Sequence, residues 1–367
     1  MKQTEFPKVE LPVIPEREYK IEEYGAVPGG EVSNTQAFHA AIHAAHEAGG
    51  GRVVVPVGIW LTGPIELLSH VELHVEKGGL ILFHKHDEEY PLLRSNYEGE
   101  TRIRATSPIH AFEQTDIAIT GQGVIDGNGQ LWRMVKSMKM TAKQWEKLVK
   151  SGGVVADGND GPHWFPSEGS YLGHKVPNVD PKAEDWKEQA QKYFDYHRPV
   201  MVNLVRCKRV RIEDITLQNS PAWSLHPLFC EHVTIKNANI RNPWYAQNGD
   251  GLDLESCRFV NIEGVSFDVG DDAICMKAGK NAPARKIQIP TEYVTIRDCV
   301  VYHGHGGFVV GSEMSRGVRH IHVSNCLFIG TDVGIRFKST LGRGGVVEDI
   351  VLDGINMINI ENEAIIF

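Results

Sequence analysis

No run of about 18 apolar residues occurs in this 367-residue chain, so no membrane-spanning helix and no membrane partner are expected. None of the six cysteines sits in a CxxC pair, which removes a common zinc-site spacing, and so few thiols in so long a chain do not make a small disulfide scaffold. The opening MKQTEFPKVELPVIPE lacks the apolar core of a secretory signal. The expected location is therefore cytoplasmic, or secreted or periplasmic if a signal has been removed. Positive charge is also scarce: 38 basic residues stand against 47 acidic ones, a balance of −9 that argues against nucleic acid as a partner. An anionic ligand would need a local cluster of cations.

What is present is a globular composition, 41% hydrophobic and 23% charged, with 37 glycines that imply many turns. From about residue 205 the segments CKRVRIEDITLQN, CEHVTIKNANIRN, CRFVNIEGVSFDV, TEYVTIRDCVVYH, VRHIHVSNCLFIG and VEDIVLDGINMIN are variants of one pattern. Their apolar anchors, Val210, Val233, Val260, Val294, Ile321 and Ile350, are spaced by 23, 27, 34, 27 and 29 residues. Short β-branched runs at such periods predict strands in a repeat architecture, with asparagine and glycine turning the chain between them. Nothing between the runs is long enough for a regular crossover helix. The expected fold is all-β: a right-handed parallel β-helix forming one domain over 1–367, with regular coils over about 205–367.

The cysteines repeat in the same register. Cys207, Cys230 and Cys257 each precede an anchor by three residues, and Cys299 and Cys326 each follow one by five. Stacked free thiols in the core are expected, with disulfides between neighbours as the alternative. Upstream, 33–51 reads as an amphipathic helix capped by Ser33 or Asn34 and ended by Gly49–Gly51, placed to cover the first coil. Residues 130–200 break the pattern as a partly helical excursion holding Trp132, Trp145, Trp164 and Trp186. These tryptophans serve either as anchors for the excursion or as a wall of a sugar-binding cleft.

Aligning NGDGLDLES, GDDAICMKA, HGGFVVGSE and TDVGIRFKS puts Asp250 and Asp272 in one column, about 4.8 Å apart across neighbouring strands. Asp271 lies one residue before that column. The same alignment sets His305 in the next coil, two residues before the column, and Arg336 and Lys338 one coil further on. Three carboxylates, an imidazole and two cations thus converge on one patch, and crowded carboxylates force at least one to keep its proton. An acid beside ionised carboxylates suits glycoside hydrolysis, in which one group protonates the leaving oxygen and another activates water. Turn formation and calcium binding are the plainer uses of such acids.

NGDG (248–251), GDD (270–272), GHG (304–306) and RFK (336–338) resemble, in order, the NTD, DD, GHG and RIK motifs of the polygalacturonases, glycoside hydrolase family 28. Gly249 stands where threonine is usual and Phe337 where isoleucine is usual. The resemblance runs from YGAVPGG near residue 24 to the end. It implies hydrolysis of α-1,4-galacturonosyl linkages with inversion, with no cofactor and no metal. It further implies Asp271 as general acid, Asp250 and Asp272 holding and activating the water, and His305 tuning the acid. Arg336 and Lys338 would clamp a galacturonate carboxylate, and Asn248 would add a substrate hydrogen bond. Relatives that cut rhamnogalacturonan tend to lack both cations, so the implied partner is polygalacturonate or its oligomers.

GHGGFVVGSEMSRG resembles the bacterial exo-acting branch, and the excursion could close one end of a cleft, so exo action is expected over endo. Three other readings compete. A pectate lyase would need a calcium site and a basic residue to take the C5 proton. A non-catalytic β-helix would bind sugar without cleaving it. A metal site of His303, His305, His320 and His322 would need alternating strand histidines to meet ligand geometry by chance. The apolar end ENEAIIF follows a recognisable coil directly, so the chain is expected to lack the family's last coils and to be a monomer or weak oligomer, active or inactive.

Overall fold

The computed structural model describes residues 6–367. Three long parallel sheets of 10, 9 and 9 strands wind around a shared core, each turn of the chain visiting all three. One complete turn runs from Val202–Val205 in the third sheet to Lys208–Glu213 in the first and Thr216–Gln218 in the second. It then returns to the third sheet at Leu225–Leu228. With every rung of these three sheets parallel and the turns between most of them short, the architecture is the right-handed β-helix expected from the repeat.

The six anchors occupy one column. Val210 pairs with Val233, Val233 with Val260, Val260 with Val294, Val294 with Ile321 and Ile321 with Ile350, and Ile117 extends the column upstream. Five of the six anchors are buried, and Ile350 packs half-buried against the core. All six cysteines are free and buried. Cys230 and Cys257 stack closely enough for the Cys230 amide to reach the Cys257 sulfur at 3.3 Å.

The N-terminal helix spans Thr35–Glu47 and lays Ala37, Phe38, Ala41, Ile42 and Ala45 over the end of the core. Its start differs from expectation. Asn34 sits at the N-cap position but makes no capping bond. Its amide instead pins neighbouring loops, accepting from Val27 N at 2.6 Å and donating to the carbonyls of Val27, Val32 and Leu61. The 130–200 excursion holds helices Ala142–Lys150, Glu168–Gly173 and Trp186–Gln191 and a three-stranded antiparallel sheet. Thr141 and Gln144 close a reciprocal capping box on the first helix. Trp132 is buried with its ring centroid 5.7 Å from Tyr90 and 5.5 Å from Phe194, so this tryptophan is an anchor.

An ion cluster on the first sheet makes the coil stack acid-sensitive. Burial pushes the Glu72 carboxyl up, but the nearby His74 imidazole and hydrogen bonds from Thr120 and Arg52 outweigh it and hold it at about 2, against an ordinary 4.5. Arg52 Nε lies 3.1 Å from this carboxylate and Arg211 Nη2 3.4 Å. A carboxyl depressed on folding stabilises above its unfolded value, and that stability is lost as pH falls from about 4.5 through about 2. Melting temperatures measured from pH 6 to pH 2 should therefore fall less steeply for Glu72→Gln than for wild type. Parallel slopes would refute the assignment.

Candidate active site

The expected residues gather along one edge of the third sheet, the acids and His305 in the turns that lead into its strands and Arg336 and Lys338 at the end of one. Core-facing Leu252 and Leu254, Ile274 and Met276, and Phe308 and Val310 alternate with residues on the other face. Leu252 pairs with Ile274, so two residues upstream Asp250 and Asp272 share a column as expected. The backbone agrees, with Gly251 N donating to Asp272 O at 2.9 Å.

His305 corrects the alignment. Ile274 pairs with Phe308, not Val309, which moves that coil by one residue and sets His305 level with Asp271 instead of two residues before the column. The reason is the core: Ile274, Phe308 and Ile335 stack as one inward ladder, and the all-apolar run Phe308–Val310 offers no alternation to reveal it. The imidazole Nδ1 consequently lies 3.2 Å from Asp271 Oδ1, and His305 N donates to Asp271 O at 2.9 Å.

Asp250, Asp271 and Asp272 each place a carboxylate oxygen within 4.8 Å of the others, close enough that a cation could also bridge them. Asp250 and Asp272 are buried, each with Oδ1 lacking a hydrogen-bond partner among the described residues. Asp272 forms an ion pair with Lys338. That contact engages one of the two cations with an acid of the site; half-buried Arg336, on Val333–Phe337, makes none among the described residues.

Burial, with Asp253 and Asp271 nearby, pushes Asp250 well above the usual carboxylate range. Burial pushes Asp271 up too, but His305 and Lys338 outweigh it and leave it below its ordinary value. Contact with Asp271 raises His305, against burial and the Lys139 ammonium, which sits 3.4 Å from Nε2; Asp332, 3.8 Å from Nε2, adds to the rise. The expected acid thus shares its proton with His305, while Asp250 keeps one of its own.

Asn248 keeps its place, but its Oδ1 accepts from Arg198 Nη2 at 2.9 Å. Gly249 is required here, since a Cβ would lie 2.7 Å from Ala246 Cβ and threonine would not fit. The other histidines do not converge. His303 stacks on Trp244 at 4.2 Å and His320 stacks on Tyr293 at 4.9 Å, on the second and first sheets respectively. The sequence holds Asp332 and Asp253 inside the aligned segments as well, without marking either as a site residue. It had no signal for Lys139, Arg104 or Arg198, which reach the cleft from elements outside the repeat.

The family model for glycosyl hydrolases family 28 matches residues 136–367. A probable polygalacturonase of Vitis vinifera is 28% identical over 91% of this chain and 60% of its own length. An exo-poly-alpha-D-galacturonosidase of Dickeya chrysanthemi is 29% identical over 94% of this chain and 56% of its own. The chain thus spans less than two thirds of the length of these curated relatives. Among solved structures, a hyperthermoactive exopolygalacturonase from Thermotoga maritima superposes with a TM-score of 0.75 at 33% identity, covering 96% of this chain and 77% of that one. With the motifs, the coil register and these matches in agreement, the chain belongs to glycosyl hydrolase family 28.

Proposed function

We propose that the chain hydrolyses α-1,4-galacturonosyl linkages of polygalacturonate and its oligomers, with inversion and from a chain end. The observation that carries this reading is the meeting of Asp250, Asp271 and Asp272 oxygens within 4.8 Å, with His305 beside one acid and Lys338 beside another. Asp271 donates the proton to the leaving oxygen. Its side chain is 19% exposed and that of His305 32%, so an arriving sugar strips water from both. Losing water disfavours the imidazolium–carboxylate pair and drives the proton onto Asp271, where it is needed. Asp250 and Asp272 hold the attacking water, and Arg336 binds the carboxylate of the sugar on the C-terminal side.

The acids lie closer together than the roughly 6.5–9.5 Å of the common inverting arrangement, so the anomer of the first product is the sharpest check on stereochemistry. Proton NMR at early times should show β-galacturonate from the α-linked substrate; the α-anomer would overturn inversion. Incubation with polygalacturonate and trigalacturonate should release mono- or digalacturonate from the outset without absorbance at 235 nm. A ladder of oligomers would overturn exo action, and a rise at 235 nm would replace hydrolysis with elimination.

A further inference from the structure

On the N-terminal side of the aspartates lies a cavity of about 240 Å³, lined by Tyr97, Arg104, His174, Tyr196, Arg198 and Asn248 among others. That is below the roughly 300–1,000 Å³ of pockets for drug-sized ligands, and so fits one ring rather than an extended chain. Its walls come from outside the repeat: the antiparallel hairpin Leu92–Tyr97 with Glu100–Ala105, and the 130–200 excursion.

Arg104 is the unusual group. Its Nε and Nη2 are shielded from solvent and have no hydrogen-bond partner among the described residues. Its guanidinium rests 3.7 Å from the Tyr97 ring centroid, and that ring packs 4.4 Å from Trp223. The hairpin's own ion pair is Arg102 with Glu100 at 2.7 Å, which leaves Arg104 out. Glu98 lines the cavity too, but Arg102, Arg104 and Arg198 outnumber it. Burial lowers Arg104 to about 10, so it stays cationic near neutral pH. A sheltered guanidinium without a partner is costly, and an incoming anion relieves that cost. Arg198 is already engaged: it donates to the carbonyls of Pro221 and Gln247 and to Asn248 Oδ1, holding the cavity floor to the catalytic loop.

We propose that this cavity is a chain-end subsite in which Arg104 binds the carboxylate of the terminal galacturonate, while Arg198 positions Asn248 beneath it. The proposal rests on the galacturonan reading and deepens it: cations then stand on both sides of the aspartates, Arg104 for the sugar in the cavity and Arg336 for the sugar across the cleaved bond. Because the hairpin and excursion wall the cavity, a chain enters by its end.

The test compares wild type, Arg104→Gln and Arg104→Lys on trigalacturonate and on the same trimer methyl-esterified at the chain-end unit. Wild type should prefer the free acid by about 10- to 100-fold in kcat/KM, the span of a charge-assisted contact. Arg104→Gln should lose that factor on the acid and treat both trimers alike. Arg104→Lys should recover part of the preference, with melting temperatures unchanged. A wild type indifferent to the ester, or an Arg104→Gln variant that keeps the preference, overturns the subsite. Should wild type cleave neither trimer, the hydrolase reading fails and calorimetry with galacturonate judges the cavity separately: binding weakened at least tenfold by Arg104→Gln supports it, and equal binding overturns it.

Discussion

Replacing Asp271 by asparagine is expected to lower kcat on oligogalacturonates by about 10²- to 10⁴-fold, the usual share of a positioned general acid. KM should change little, because the missing proton matters only as the glycosidic bond breaks. Asparagine keeps the size of the side chain and can still accept from Asp272 N, a bond of 3.1 Å in the wild type, so the melting temperature should hold. A loss below tenfold with the fold intact would remove Asp271 from the acid role. The pH profile supplies a second readout. In the free enzyme the working proton belongs to the Asp271–His305 pair, whose imidazole is raised above its ordinary 6.5 by Asp271. Activity should therefore fall as pH rises through that elevated value, because the pair has then lost the proton it must deliver. His305→Asn should move this alkaline limb to lower pH, since Asp271 alone releases its proton sooner. An unmoved limb would assign the proton to another group, with Asp250 the nearest candidate because burial keeps it protonated.

How far the sequence showed this in advance depends on which interactions are periodic. The β-branched anchors from Val210 to Ile350 repeat because each coil must fill the same slice of core, so their column was legible and is found as drawn. Asp250 and Asp272 inherit their register from Leu252 and Ile274, and they too fall into place. The coil of His305 slipped by one because Phe308, Val309 and Val310 are all buried, leaving no polar residue to mark the face. Asn34 has the right residue type for a cap, yet loop carbonyls compete for its amide and win. The hairpin that carries Arg104 turns at Glu98–Gly99, both with positive φ, where an Asn-Gly pair would have been the recognisable signal. Lys139 and Arg198 lie on the irregular excursion, whose path over the cleft is set by tertiary packing and leaves no periodic trace.

Lys277→Met should destabilise the fold by about 3–5 kcal/mol, the cost of breaking a buried ion pair from one side. Lys277 is 4% exposed and Glu313 8%. The ammonium reaches Glu313 Oε2 at 3.0 Å and Asp253 Oδ1 at 3.5 Å, and lies 4.8 Å from the Trp223 ring centroid. The two acids behave differently. Burial pushes Glu313 up, but Lys277 outweighs it and holds the carboxyl at about 2, so this is the ionised partner. Asp253 is pushed well above its usual range by burial despite Lys277, and keeps its proton. Methionine fills the aliphatic volume but leaves the Glu313 carboxylate sheltered with Ser312 Oγ as its remaining side-chain donor, at 3.1 Å. The melting temperature should drop by about 5–10 °C. Adding Glu313→Gln removes the stranded charge, so the double variant should recover more than half of the loss, a coupling that independent sites would not show. Additive losses would mean the pair does not act as one. The same ammonium also pulls down Asp250 across the cleft floor. Its removal should push Asp250 further up, so that the proton burial already keeps there is held to still higher pH.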